Sequence, residues 1–324
     1  MNATDFSSWL VSQETPLRVW GGFVVQEICT RVSIELGEKR YKGFFKVPPG
    51  SRVKDATSSI KKFAKKKYID PKHEMSDLVG ARFVVLLRSD IPIVEHAIRT
   101  NNAWTARRDR HPLDERLEAP SSFDYQSVHY IVRNPEERMI ENVSIPAEMA
   151  CEVQVRTVLQ HAYAELGHDR IYKDDGPVPK SVHRLIARCM ALMETTDEIF
   201  CSAVEELDRV NLSHKKWASL LDAHFSEAGI AFIPTLSDHE AIQILDTFRD
   251  LIQSADMDAV FGQLPSSVMN KIKERAGEDK LFGKPLILLV YWLVKNHSDS
   301  VKQHWPIPKF NAEFDHVMSD LGIS

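Results

Sequence analysis

The stretch EVQVRTVLQHAYAELGHDRIYK, Glu152 to Lys173, passes from an alternating segment into a charged, histidine-bearing helix with neither glycine nor proline at the junction. In its first part Glu152, Gln154 and Arg156 alternate with Val153 and Val155. A period of two places the polar row on one side of a strand and the valines in a core. The second part carries His161, Glu165 and His168. Polar groups collected where a strand runs directly into a helix read as one wall of a cleft.

Working outward, "QSVHYIVRN" and "ARFVVLL" read as two further strands, the second buried because of its β-branched density. Helical spacing recurs at Leu17, Trp20, Val24, Ile28 and Val32, in "IPIVEHAIRTNN", and along Val182 to Val210 through Leu185, Ile186, Cys189, Met193, Phe200, Val204 and Leu207. "VPPG" is expected to end the first helical region. The order of elements predicts an α+β fold, a small sheet surrounded by helices. "GIAFIPTLSDHE" marks a boundary, giving residues 1–232 as the main domain and 233–324 as a helical accessory domain. In the latter, "KPLILLVYWLVKNH" is apolar nearly throughout and is expected to be a buried helix.

The 324 residues are 43% hydrophobic and 27% charged, a composition that supports a packed globular core. The formal net charge of −5 argues against a uniformly basic nucleic-acid coat. Cys29, Cys151, Cys189 and Cys201 form no CxxC pair and are expected to be free thiols of a reducing compartment. "PLILLVYWLV" is too short to span a bilayer, and the N-terminus lacks signal-peptide character, so a cytoplasmic location is expected.

Charge is concentrated locally. Between Arg52 and Lys67 there are seven basic residues against one acid, Asp55. Such a run is often a solvated face. Here Arg52 and Lys54 lie two apart on an extended piece, and Ser58, Lys62 and Lys65 recur at four and three residues on one helical face, which makes a cradle for phosphates at a helix start. Asp77 follows, just before the buried strand. A carboxylate there serves as a turn residue or, beside such a cradle, as a ligand for Mg²⁺, which favours one or two carboxylates plus substrate phosphates. Gly80 suggests a close backbone approach. Tyr125, Ser127 and His129 share a period-two face with an aromatic plane, a hydroxyl and an imidazole.

Taken in order, "RVKDATSSIKKFAK", "DLVGAR", "YQSVH" and "EVQVRT" followed by "AELGHDRIYK" resemble the motif set of the RelA/SpoT synthetase domain over roughly Tyr41 to Lys173. The resemblance implies a nucleotidyltransferase-like mixed sheet and transfer of pyrophosphate from ATP to the 3′-hydroxyl of GDP or GTP, with Mg²⁺ as cofactor. It assigns Arg52, Lys54, Ser58, Lys62 and Lys65 to the ATP phosphates, with Arg52 and Arg82 on either face of adenine. Asp77 and Glu152 fall to the metal, and Glu152 with Gln154 to catalysis at the acceptor hydroxyl. Tyr125 would stack on the acceptor base, while Ser127, His129, Arg156 and His161 line the acceptor side. Gln126 departs from the arginine of many members, and Gly167 from a frequent glutamate, so acceptor identity is the least fixed feature.

Longer members carry a metal-dependent hydrolase domain. Here the first histidine is His73, and His168-Asp169 lies inside the synthetase motif, so the resemblance implies synthesis without removal of product. Unregulated synthesis would be growth-inhibitory, which points to a stress-response or toxin role. Two alternatives share these residues: a toxin-type enzyme that modifies the 3′ end of tRNA, and a catalytically silent nucleotide-binding module. The C-terminal region is expected to serve as a lid, a contact between copies of the chain, or a regulatory docking site.

Overall fold

A computed structural model of the chain describes residues 2–66, 68–112, 117, 127–167, 178–227, 229, 231–253, 264 and 266–323. It divides into two units, Met1–Ala203 and Val204–Ser324.

The first unit opens with helix α1 (Ala3–Tyr41), whose N-terminus is capped by Asn2 accepting from the Asp5 N–H. Strand β1 (Val47–Val53) leads through Lys54 and Asp55 to α2 (Ala56–Lys66), then to the short α3 (Pro71–Glu74), β2 (Val79–Val85) and α4 (Ile91–Arg99). Strands β3 (Thr105–Arg110) and β4 (Val128–Arg133), a small hairpin of β5 (Arg138–Ile140) and β6 (Val143–Ile145), and β7 (Ala150–Thr157) follow. Helix α5 (Val158–Leu166) begins directly at the end of β7, and α6 (Lys180–Ser226) starts in this unit and ends in the next.

Five strands form one mixed sheet in the order β1-β2-β7-β4-β3, with β2 and β7 parallel and the other neighbours antiparallel. Alternation sorts its two faces. Val79, Ala81, Phe83 and Val85 of β2, Cys151, Val153 and Val155 of β7, and Val128, Tyr130 and Val132 of β4 are buried in the same core as Trp20, Val24, Ile28 and Val32 of α1 and Val94 and Ile98 of α4. Each fully buried aliphatic side chain of this kind contributes roughly 1.5–3 kcal/mol. Helix α1 reaches the sheet closely because of Gly21: a Cβ there would lie 2.7 Å from Val79 Cγ2 and 2.8 Å from Ser51 Cβ.

Several sequence expectations change in extent. Helix α1 is longer than Leu17–Leu36, since Phe6 and Leu10 continue its buried stripe. "VPPG" lies inside β1 instead of ending a helical region. Proline is tolerated there because β1 is an edge strand, and the pairing register shifts between Val47 and Gly50. Strand β3 was not foreseen; all six of its residues are exposed, so it carries no apolar alternation. On α6, Leu185, Phe200, Val204 and Leu207 are exposed, so the stripe read from the sequence is not a single buried face.

The second unit is helical: the end of α6, then α7 (His239–Thr247), α8 (Arg249–Gln253), α9 (Ser266–Arg275), α10 (Leu286–His304) and α11 (Asn311–Asp320). Every residue from Leu286 to Val294 is buried, so the first half of α10 is the centre of this core. Trp217, Leu221 and Phe225 of α6 join it. The division therefore falls within α6, upstream of the boundary read after Phe232, because these three side chains contribute to the helical core. Asp320 closes the unit with charge-assisted bonds from Lys271 at 3.0 Å and Arg275 at 2.8 Å and a bond from the Tyr291 hydroxyl at 2.5 Å. Among the described residues no helix is long and apolar enough to cross a membrane. The four cysteines are free thiols, Cys151 fully buried.

Candidate active site

The face of the sheet opposite α1 carries the polar row. Register aligns Arg82 with Gln154 and Gln154 with His129, and in the next row Arg52 with Gly80, Gly80 with Glu152 and Glu152 with Ile131. Residues aligned across neighbouring strands share a face. Gly80 therefore leaves a gap between Arg52 and Glu152. A Cβ built on it meets only the Glu152 carbonyl oxygen at 3.6 Å, an ordinary contact, so the glycine opens floor space and does not satisfy a close backbone approach.

Asp77 stands at the entry to β2. Lys54 Nζ, just past β1, donates to Asp77 Oδ2 at 2.6 Å, and Lys62 Nζ, on α2, donates to the same oxygen at 2.7 Å. Burial raises the Asp77 pKa, but the two ammonium groups outweigh it and hold the carboxyl below its ordinary value. For Lys62, burial works against the charged form, and Asp77 reverses it to give a raised pKa. Asp77 Oδ1 is buried and has no hydrogen-bond partner. Helix α2 is started by Asp55, which accepts from the N–H groups of Thr57 and Ser58. Arg52, Ser58 and Lys65 are exposed around this pair.

Glu152 sits across the gap. Its Oε1 accepts from His129 Nδ1 at 3.1 Å and its Oε2 from Gln154 Nε2 at 2.9 Å. A carboxylate only accepts, so the proton is on Nδ1, and in neutral His129 the Nε2 accepts from the Ser127 hydroxyl at 2.5 Å. Burial pushes the Glu152 carboxyl up; the His129 and Gln154 contacts outweigh it, and the net shift is downward even though the Asp77 charge opposes it. Both acids are thus held as carboxylates by neighbouring donors, and each lies within the field of the other.

The third cluster joins β2 to α5. Arg82 Nη1 donates to Glu165 Oε1 at 3.0 Å, and His161 Nδ1 lies 3.4 Å from the same oxygen. Burial, then the charges of Arg156 and Arg82, lower the His161 pKa against the opposing pull of Glu165. Arg156 is itself buried at the end of β7.

The structure therefore gathers Lys54, Lys62 and Asp77 in one group, Ser127, His129, Glu152 and Gln154 in a second, and Arg82 and His161 in a third. Tyr125, Gln126, Lys67 and the His168-Asp169 pair lie outside the described residues. Sequence reading missed Glu165 as a partner of Arg82. It also missed β3, whose register aligns Arg107 with Ile131 and Arg110 with His129 on this same face. Three arginines within "TARRDR" were the available signal.

Two carboxylates, paired lysines and flanking arginines thus stand together on the polar face of the sheet. Residues 51–177 match the family described as a region found in RelA/SpoT proteins. The chain is 29% identical over 150 residues to the GTP pyrophosphokinase YjbM of Bacillus subtilis (strain 168), covering 45% of this chain and 66% of that protein. It is 24% identical over 163 residues to the GTP pyrophosphokinase YwaC of the same organism, covering 49% and 73%. In fold it is similar to the crystal structure of small alarmone synthetase 1 from Bacillus subtilis, at a TM-score of 0.51 and 19% identity over 62% of this chain and 98% of that one. The structure of that synthetase bound to its product pppGpp gives a TM-score of 0.52 at 20% identity over 61% and 97%.

Proposed function

We propose that this chain is a pyrophosphokinase that moves the β,γ-pyrophosphate of ATP onto the 3′-hydroxyl of GDP or GTP. The observation that carries the reading is the opposition of Asp77, with its two lysines, to Glu152, with its histidine, on one open face of the sheet. The RelA/SpoT match over this same segment supports it.

Pyrophosphoryl transfer asks little covalent work of a protein; positioning and charge neutralisation dominate. Lys54 and Lys62, with Ser58, Lys65 and Arg52, hold the donor phosphates, and Arg52 and Arg82 bracket adenine. Arg82 must leave Glu165 or share it to do so. Mg²⁺ fits the pair Asp77 and Glu152: the donor set is oxygen only, and the buried Asp77 Oδ1 has no other partner. When bound, the ion would neutralise charge on the donor phosphates. Glu152 accepts or orients the proton of the attacking hydroxyl, help typically worth about 10²–10⁴-fold. His129 and Gln154 fix the direction of that carboxylate. Tyr125 stacks on the acceptor base, and Ser127, His129, Arg156 and His161 form the acceptor wall, extended by Arg107 and Arg110.

Purified protein incubated with labelled ATP and, separately, GDP, GTP, ATP and deacylated tRNA tests the reading. Label transferred to GDP or GTP is the expected result. Transfer only to tRNA would reassign the acceptor, and no transfer to any of them would leave a silent nucleotide-binding module and refute the proposal.

A further inference from the structure

Helix α6 supplies one buried carboxylate that the chemistry above does not use. Asp197 is 2% exposed, and among the described residues no ion pair reaches it. Its Oδ2 accepts from the Thr157 hydroxyl at 2.8 Å, and its Oδ1 is buried without a partner. Burial raises its pKa against the Thr157 bond and the charge of Arg88.

Thr157 is the joint between β7 and α5. Its Oγ1 also accepts the Gln160 N–H at 3.2 Å, while its own N–H donates to Gln160 Oε1 at 3.0 Å, a reciprocal cap at the start of α5. Thr157 and Gln160 are buried as well. No loop separates strand from helix, so this one residue fixes the angle between Glu152 and Gln154 on β7 and His161 on α5.

A buried carboxylate with an orphan oxygen is a poor way to stabilise a junction, since apolar side chains of the same shape would serve as well or better. It is a good way to fix a direction. His161 is one helical turn beyond Thr157, about 6 Å along the axis, so a tilt of about 10° at the joint moves it by about 1 Å. Displacements of that size can cost on the order of 10²-fold in a positioned reaction.

We propose that Asp197 is a positioning residue for the acceptor half of the site, holding Thr157 and through it the registration of α5 on β7. The proposal rests on the assignment of His161 to the acceptor wall. Steady-state kinetics on the full chain, varying ATP and acceptor separately, should show Asp197→Ala and Thr157→Val each raising the acceptor KM roughly ten-fold with the ATP KM within about two-fold. Thr157→Ser, which keeps the hydroxyl, should stay near the parent on both. The double variant Thr157→Val/Asp197→Ala should be no worse than the poorer single, as expected for one shared contact.

A fall in kcat with both KM values unchanged marks less folded enzyme and overturns the proposal, as do losses that multiply in the double variant. The near-isosteric Thr157→Val carries the test if Asp197→Ala does not fold. Amide exchange across residues 158–166 is read in the same proteins and does not depend on turnover. Faster exchange confined to that segment supports the role of Asp197. Exchange equal to the parent refutes it, whether or not the parent transfers pyrophosphate.

Discussion

Replacing Asp77 by asparagine should separate two roles that usually fall together. In the structure both Lys54 and Lys62 spend a charge-assisted bond on one carboxylate oxygen, at 2.6 and 2.7 Å, with less than a third of each lysine side chain exposed. A triphosphate entering the cradle without metal must take these lysines from Asp77. Lys54 and Lys62 stay charged, so their bonds to an asparagine oxygen remain charge-assisted but lose the ion-pair attraction of the carboxylate, and each lysine is held less firmly by about 1 kcal/mol. Part of that difference is recovered by ATP, and about 1.4 kcal/mol in total is a ten-fold change in affinity. Asp77→Asn should therefore bind ATP in excess EDTA up to about ten-fold more tightly than the parent. Loss of the shared charge leaves two lysines repelling each other, and stability should fall by about 1–3 kcal/mol. Turnover with Mg²⁺ should fall at least about 10²-fold, the scale for losing a transition-state electrostatic contact. Titration calorimetry with ATP, a thermal melt and the labelled-ATP assay measure the three quantities. A variant that melts cooperatively yet binds metal-free ATP ten-fold more weakly would refute the reasoning, because Asp77 would then be assisting the lysines instead of restraining them.

Other perturbations follow from the same geometry. Glu152→Gln should lower turnover by about 10²–10⁴-fold while leaving the melting temperature within a few degrees, and near-normal turnover would remove Glu152 from the reaction. The folded-state pKa values of Asp77 and Glu152 are both depressed, so their stabilisation is fully present above the ordinary carboxyl range near about 4 and is lost as pH falls through the lowered values. The melting temperature should thus hold from pH 8 to pH 5 as far as these groups decide it and drop below about pH 4; replacing both acids by amides should flatten that acid limb, and an unchanged limb would contradict the assignment. Gly21→Ala would ordinarily stabilise a helix by about 0.4–1 kcal/mol, but the 2.7 Å approach to Val79 reverses the sign and predicts a loss of about 1–3 kcal/mol in denaturant unfolding. Ending the chain at Phe232 should yield insoluble protein, because Trp217, Leu221 and Phe225 lose their core, whereas ending it near Asp208, in an exposed stretch of α6, should leave a soluble, cooperatively folding unit; the reverse pattern in a solubility and melting screen would show that the helical core does not depend on α6.

Period-two patterning made most of the site legible. Glu152, Gln154 and Arg156 were assigned to one side of β7 from alternation alone, and the strand runs Ala150–Thr157 with Val153 and Val155 fully buried. Lys54 and Lys62 are grouped by spacing and Asp77 is set beside them, but the oxygen they share is not legible, because the pairing of β1 with β2 is what closes that contact. Strand β3 was invisible for a different reason: an edge strand with no buried side has no hydrophobic period to read. Asp197 was hidden by distance, lying forty residues from the threonine it holds. The division of units escaped notice because it falls inside a continuous helix, where neither glycine, proline nor composition changes.

Strand β7 also constrains how this protein can change over evolutionary time. Its even-numbered positions, 152 and 154, present polar side chains to the open face, and its odd-numbered neighbours, 153 and 155, carry the fold. Point substitutions at 152 and 154 therefore change the polar face at little expense in stability, one residue at a time. A single inserted or deleted residue is a different event: it exchanges the tracks, sends valines onto the polar face and a glutamate into the core, and removes the polar row and the fold together. Side-chain identity on the open face of β7 can thus be sampled without loss of the fold, while the length of the strand stays locked.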